Sequence, residues 1–450
     1  MFSNILFKIQ NKLKYLYENS IFLQNIDYLI LGSILLVLVA STVVSSDFIG
    51  FVALITLFLT LVKILTKQGD KFTFNNFEIF LIAYFMLVVV SLAGSTLFDL
   101  SMKGFLKTFV YIGFYFSTAH YLQSNKSKLP LIMGTIALCI GFESIVAIMQ
   151  NFSQVAAIST WQDVSHLNPE EVMTRVYGTL KPFNPNLLGG YFVAGIPAIF
   201  GICAFFLNKK LYKYSLVAAI FSIISIIAAF ATGCRGAYLA LLLILGGVFL
   251  VSAKFFWNTY KKIYLSIIGG AVALFTFALL FISSLRARFL SIFAMRNDSS
   301  NSFRFNVYQS SLEMFKDNWL LGIGVGNKNF REIYGLYMKT GFDALSAYNI
   351  FLETAVESGI FALVAFLGFI IIYVKNAIKI VLESTDNEQI IFVSAALISV
   401  LALMLHGLVD TVFFRPQIQF IFWVMIATVS AYKYETLPNL DCKDLCNGPE

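Results

Sequence analysis

The sequence predicts an all-α, polytopic integral membrane protein of about twelve transmembrane helices, with a partly helical external loop domain. Three observations carry that prediction. Of 450 residues, 58% are hydrophobic, 47 are Phe and only 13% are charged, with a mean hydropathy of +0.79; a soluble chain of this length could not hide so much apolar surface. The apolar residues gather into runs that match the roughly 20 residues needed to cross about 30 Å of hydrocarbon. The basic residues are also sorted. If the runs are threaded alternately through a bilayer, all eight arginines fall on one side and eighteen of the twenty-four lysines on the other.

Residues 1–25 place Phe2, Ile5, Leu6, Ile9, Leu13, Leu16 and Tyr17 at helical spacing with lysines between them, the pattern of an amphipathic helix lying on the inner leaflet. No short apolar stretch followed by a small-residue cleavage site is visible, so no removable signal peptide is expected. Residues 26–284 hold nine spans, at 28–46, 48–66, 77–94, 102–121, 130–152, 185–207, 213–231, 237–253 and 262–284. The first two are separated by little more than Ser45, Ser46 and Asp47, the seventh and eighth by Thr232–Gly236. An external loop, 153–184, divides the set. A larger one, 285–348, precedes three more spans within 349–433 (349–374, 389–409 and 416–433), and 434–450 is a tail. Twelve spans put both termini on one side. Lys8, Lys12, Lys14, Lys63, Lys67, Lys71, Lys126, Lys128, Lys209, Lys210, Lys213, Lys254, Lys261, Lys262, Lys375 and Lys379 flank that side, which makes it the cytoplasm of a bacterial inner membrane. The five cysteines imply no disulfide framework, and Cys442 and Cys446 alone are too few for structural zinc.

The arginine pattern needs its own cause. The positive-inside rule treats Lys and Arg alike, so it cannot keep Arg175, Arg235, Arg286, Arg288, Arg296, Arg304, Arg331 and Arg415 on the external side. A guanidinium grips phosphate or carboxylate bidentately where an ammonium cannot. In the large loop, Ser302 is a plausible N-cap for a helix over Phe303 to about Lys316, with Arg304 on its first turn beside free backbone amides. The following Trp319-Leu320-Leu321-Gly322-Ile323-Gly324-Val325-Gly326-Asn327 has the G-x-G-x-G look of a nucleotide loop, but no strand precedes it. It reads instead as a tight turn against the membrane surface, whose amides are free to face a lipid-linked phosphate.

An ordered set of signatures over residues 130–430 resembles the O-antigen ligase and polymerase superfamily of membrane glycosyltransferases. Arg175-Val176-Tyr177-Gly178-Thr179 runs into Asn184-Pro185-Asn186-Leu187-Leu188-Gly189-Gly190-Tyr191. Thr232-Gly233-Cys234-Arg235-Gly236-Ala237 is close to the family's (S/T)-x-S-R-G-A. Arg304 and the Trp319–Asn327 stretch follow, then Ser346-Ala347-Tyr348-Asn349 leading to Glu353, Glu357 and Gly359. The tail signature His406-Gly407-Leu408-Val409-Asp410-Thr411, with Arg415-Pro416 and Trp423, looks most like the branch named for a cyanobacterial protein linked to bicarbonate uptake.

The resemblance implies a GT-C-like fold in which a glycan on a polyprenyl diphosphate is the donor and a hydroxyl of a lipid or glycan acceptor displaces the diphosphate. It implies membrane lipids as partners, no nucleic acid, no cofactor and no metal. The sequence agrees on metal, since no D-x-D pair or His/carboxylate cluster with ligand spacing lies on the external side. By position, Arg235 and Arg304 match the family's essential arginines and would neutralise the leaving group. Arg175, Lys181, Asn186, Asn349 and Arg415 are further candidates for holding substrate. Where ligases carry a histidine this chain has Tyr348, an ordinary phenol being a poor base but a good hydrogen-bond donor. Candidate replacements are Glu353 and, one turn deeper, Glu357. His406 and Asp410, spaced i, i+4, could share a face, though a structural hydrogen bond with Arg415 pairing Asp410 accounts for them as well. Glu143, inside a span, is expensive there unless it faces a cavity. External arginines would also suit a transporter of bicarbonate or another small anion, or a non-catalytic membrane partner. Transport predicts internal repeats and helices broken by Gly or Pro, and only Pro197 interrupts a span.

Overall fold

In a computed structural model the described residues are 2–70, 72–153, 175–294 and 298–433. Lys71, His166, Arg296, most of the 153–184 loop, and the 434–450 tail with Cys442 and Cys446 lie outside them. The helices are α1 (Phe2–Asn19), α2 (Ile21–Gln24), α3 (Ile26–Val43), α4 (Ser46–Thr66), α5 (Asn76–Gly94), α6 (Phe98–Ser124), α7 (Leu129–Phe152), α8 (Pro185–Asn208), α9 (Tyr212–Ala231), α10 (Arg235–Phe281), α11 (Ser283–Leu290), α12 (Ser299–Asp317), α13 (Asn327–Tyr334), α14 (Ile350–Glu383), α15 (Asn387–His406) and α16 (Pro416–Lys433). No strand occurs among the described residues.

Nine of these helices are long and apolar enough to cross a membrane. One of the nine, α10, holds 47 residues, which would run about 70 Å if straight. It leaves helical geometry at Tyr260 (φ −128°, ψ 29°) and turns back on itself. The ring of Tyr264 lies 6.5 Å from Phe249, its hydroxyl is 3.2 Å from Ser252 Oγ, and Phe275 reaches Phe230 at 5.7 Å. On a straight helix Phe249 and Tyr264 would be roughly 22 Å apart. The two arms are therefore two crossings, which match the predicted spans 237–253 and 262–284, with Lys254, Lys261 and Lys262 at the turn. Adding α6, which carries Asp99, Lys103 and Lys107, and the slightly short α16 recovers the expected twelve.

The bundle is built around α8, α15 and α16, buried along most of their lengths. At one end, the seven described arginines collect; lysines such as Lys63, Lys209, Lys254 and Lys379 mark the other. The start of α8 is fixed by Asn184, whose side chain accepts from the Asn186 amide at 2.8 Å, and by Pro185 in its first turn. Gly236, at the start of α10, lets that helix close on α15. A Cβ there would sit 2.9 Å from Val409 and 3.0 Å from the His406 ring.

Four sequence expectations are corrected. The helix expected to start at Ser302 starts at Ser299, because the Asp298 carboxylate caps it by accepting from the Asn301 amide at 2.9 Å; Arg304 is thus in the second turn, away from the free amides. α14 is broken, with Gly359 at φ 80°, ψ 176°. The Trp319–Gly326 strip fills that break and exposes few free amides: Ile323 N donates to Val356 O at 3.0 Å, Gly324 N to Glu357 O at 2.9 Å, and Ile360 N to Trp319 O at 2.9 Å. It is neither a nucleotide loop nor a phosphate cradle, since its amides satisfy the carbonyls that the helix break frees. Finally, α15 ends at His406 and Gly407 closes it, so Asp410 does not share a helical face with His406.

Candidate functional site

At the arginine end lies a cavity of about 1450 Å³. Its walls include Arg175, Arg235, Arg288, Arg304 and Arg415, five of the seven described arginines. Asn186, Tyr348, Glu353, Glu357 and Asp410 also line it, so nine of the thirteen sequence candidates converge.

The arginine wall starts where the loop before α8 meets the α9–α10 turn. Arg175, buried, donates from Nε to Thr232 O at 2.8 Å and from Nη2 to Asn186 Oδ1. Arg288 donates from Nε to Gly233 O at 2.8 Å. Arg235 Nη1 pairs with Asp298 Oδ1 at 2.9 Å and donates to Ser291 O at 3.1 Å. Arg304 Nη1 donates to Ser300 Oγ at 2.9 Å, and its guanidinium lies 5.7 Å from the centre of the Tyr348 ring. Asp410 ties the wall together. Its Oδ1 accepts from the amides of Thr411 (2.8 Å) and Val412 (3.1 Å), and its Oδ2 accepts from Asn186 Nδ2 at 3.0 Å, 3.8 Å from Arg304 Nη2.

Four guanidinium groups thus face two carboxylates, Asp298 and Asp410. Burial, with this excess of positive charge, shows in the titration of two of them. Burial holds Arg288 down to about 10, with the charge of Arg175 adding to it; burial likewise lowers Arg175, and Arg235 contributes. At Arg175 and Arg288 burial thus disfavours the cation, a cost that an arriving anion offsets. Two donors are buried and unspent, Arg235 Nη2 and Arg304 Nε. A buried guanidinium N–H without a partner costs free energy that a bound anion returns.

Beyond Arg304, Tyr348 sits at φ 51° with its carbonyl accepting from Tyr308 Oη at 3.2 Å. Burial, and next the charge of Asp410, push its phenol up to about 12, so it is a neutral donor at working pH. Glu353 and Glu357 are both buried: Glu353 Oε2 accepts from Ala347 N at 3.2 Å, and Glu357 Oε1 from Gly326 N at 2.8 Å.

Four candidates lie off the cavity wall. Glu143 is fully buried and clamps the loop before α8, accepting from Thr179 N at 2.9 Å and from Thr179 Oγ1. Lys181 is exposed, and its carbonyl accepts from Gln417 Nε2 at 2.9 Å. Asn349 is the N-cap of α14, its Oδ1 accepting from the amides of Phe351 (3.0 Å) and Leu352 (2.9 Å). His406 meets Cys234 Sγ at 3.5 Å, and Arg415 forms no pair with Asp410, whose oxygens are taken. Conversely, the sequence reading did not single out Arg288 for the site, nor Asp298 or the lysines Lys103, Lys107 and Lys328 that also line the cavity. Lys107 had a signal, being an ammonium within an apolar run.

Among the described residues no group of three His, Cys, Asp or Glu side chains could hold a metal ion. Fold and cavity together define a polytopic helical membrane protein with an arginine-lined cavity at one end of its bundle. Residues 220–367 match the family model described as O-antigen ligase, which supports the resemblance of this part of the chain to the O-antigen ligase and polymerase superfamily. The match spans Arg235, Arg288, Arg304, Tyr348, Glu353 and Glu357; it stops short of residues 406–423, on which the branch-level resemblance rested. No curated protein matches the chain.

Proposed function

We propose that this protein transfers glycan from a polyprenyl diphosphate to an acceptor hydroxyl at the outer face of the bacterial inner membrane, with guanidinium groups rather than a metal ion neutralising the leaving diphosphate. The observation that carries the reading is the pair of buried, unspent donors, Arg235 Nη2 and Arg304 Nε, on the wall of one large cavity. Arg175 and Arg288 add charge to the same wall, and the positions of Arg235 and Arg304 inside the ligase domain agree with it.

In this reading the acceptor oxygen attacks the anomeric carbon and the bond from that carbon to the diphosphate oxygen breaks. The electron pair leaves with the diphosphate into the arginine wall, where preorganised cations stabilise the developing charge. The acceptor proton passes to Glu353. Tyr348, protonated throughout, donates a hydrogen bond and orients the reacting groups. The polyprenyl tail leaves past the apolar side chains Leu239 and Ile292, which border the arginines.

The test is binding of undecaprenyl diphosphate to detergent-purified protein. Each charge-assisted contact contributes roughly 1.5–3 kcal/mol, so Arg304→Ala should raise Kd about tenfold or more. Transport of bicarbonate is the competing reading, and the break in α14, with Pro197 inside α8, favours it. The freed Val356 and Glu357 carbonyls are occupied by amides of the Trp319–Gly326 strip, however, and are not open to an ion. Proteoliposomes should therefore move bicarbonate no faster than empty vesicles. Protein-dependent bicarbonate flux with no diphosphate binding would overturn the transferase.

A further inference from the structure

The cavity holds a second group of cations that the diphosphate does not use. Lys107, Lys328 and Arg415 all line it, and among the described residues none of the three has an ion-pair partner. Lys107 lies nine residues into α6, roughly 14 Å along the helix axis from its start. An ammonium at that depth in a crossing helix is costly unless it faces a water-filled site with an anion to meet. Lys103, one turn earlier, lines the same cavity. α6 is pressed against the strip that leads into α13, whose second residue is Lys328, because Gly104 has no side chain: a Cβ there would lie 2.3 Å from Val325 O and 2.7 Å from Gly326 Cα. Arg415 and Lys328 are both close enough to Lys107 for their charges to interact, as is the carboxylate Asp47.

The two groups of cations are carried by different elements: Lys107 by α6, Lys328 by α13 and Arg415 by the residue before α16, against α10, α11, α12 and the segment before α8 for the arginine wall. Arg304 stands over the Tyr348 ring, the adjacent Ala347 amide holds Glu353 at 3.2 Å, and Glu353 is within electrostatic reach of Arg415, which in turn reaches Lys107. A displacement at an anomeric carbon puts the incoming group and the leaving group on opposite sides of the reacting centre. With the diphosphate on the arginine wall, the far side of Glu353 and Tyr348 belongs to the acceptor.

We infer that Lys107, Lys328 and Arg415 form a second anion subsite, which binds a phosphate monoester on the acceptor and so selects phosphorylated acceptors. Counting Lys103 beside Lys107 and Glu353 beside Arg415, four cations face the two carboxylates Asp47 and Glu353; the excess of two charges is one that a phosphate monoester of about −1.5 to −2 balances and a carboxylate does not. The assignment of this subsite to the acceptor rests on the transferase reading, but the anion site itself does not.

Equilibrium dialysis of radiolabelled glucose 6-phosphate, glucuronate and glucose against the purified full chain tests it. Glucose 6-phosphate should bind, glucose should not, and glucuronate should bind at least several-fold more weakly. Lys107→Gln and Arg415→Gln should each raise the Kd for glucose 6-phosphate about tenfold, with the melting temperature of the variants reporting that they are folded. Saturating undecaprenyl diphosphate should leave sugar-phosphate binding in place, and Arg304→Ala should alter diphosphate binding alone. Competition between the two ligands, or sensitivity of glucose 6-phosphate to Arg304→Ala but not to Arg415→Gln, would overturn a separate subsite. Equal binding of glucuronate would overturn the phosphate assignment. If the diphosphate fails to bind while glucose 6-phosphate binds as expected, the transferase reading falls and the anion site stands.

Discussion

Arg235 shows how a single side chain can be exposed to chemistry and still be held in place. One of its nitrogens is committed to Asp298 and Ser291, and the other is buried without a partner. A lysine at this position keeps the charge but cannot both hold Asp298 and offer a second N–H to a phosphate oxygen. Arg235→Lys should therefore leave the protein inserted and expressed while lowering glycan transfer in membranes by at least a hundredfold; near-normal transfer would reduce Arg235 to an anchor. Tyr348 makes the opposite case. Its phenol, pushed up to about 12, stays protonated below that pH, so it contributes a hydrogen bond and no titration. Tyr348→Phe should slow transfer about three- to tenfold, the worth of one neutral hydrogen bond, and leave the position of the pH optimum unchanged. A shifted alkaline limb would show that the phenol gives up its proton in the reaction.

At the scale of elements, the decisive device is the break in α14. Gly359 adopts φ 80°, ψ 176°, a conformation essentially reserved for glycine. A Cβ would lie 2.2 Å from Leu320 O, in the strip that replaces the missing helical hydrogen bonds. The break sits just past Glu353 and Glu357 and fixes how they enter the cavity. Gly359→Ala should cost about 2 kcal/mol or more, visible as a lower melting temperature in detergent, and should weaken transfer as the carboxylates shift. Unchanged stability would mean the strip can move aside freely.

For the whole molecule, the arginine end is a store of unfavourable charge that ligand relieves. Burial and Arg175 hold Arg288 down to about 10, so its cation is present below that pH and is lost as pH rises through it. Diphosphate binding should accordingly be flat from about pH 6 to 9 and weaken above about 10; a loss below pH 9 would point to a different group. Saturation at a hundred times Kd should stabilise the folded protein by about 2.7 kcal/mol, read as a rise in melting temperature. That rise should shrink in Arg304→Ala, and an equal rise in the variant would place the ligand elsewhere. Transfer that survives excess EDTA would agree with guanidinium neutralisation, whereas loss restored by magnesium would replace it with metal catalysis.

The all-α membrane class and its long apolar helices were legible in the chain, as was the segregation of arginines from lysines along it. Hydrophobic run length is set by bilayer thickness, and the sorting of basic residues is a property of order along the sequence alone. Arg235 and Arg304 could likewise be singled out, because motif order survives without coordinates. What the linear chain could not decide was which polar groups are already spent. Glu143 satisfies a loop, Asn349 caps a helix, and the glycine-strip amides close a break; each consumes hydrogen-bonding capacity that residue type alone leaves open. The converse holds for Arg288 and Lys107. Only the packing of α6, α11 and the loop after α12 turns them toward one cavity, since neighbours far apart along the chain, 55 residues for Arg288 and Gly233, are set by the tertiary fold and by no local pattern.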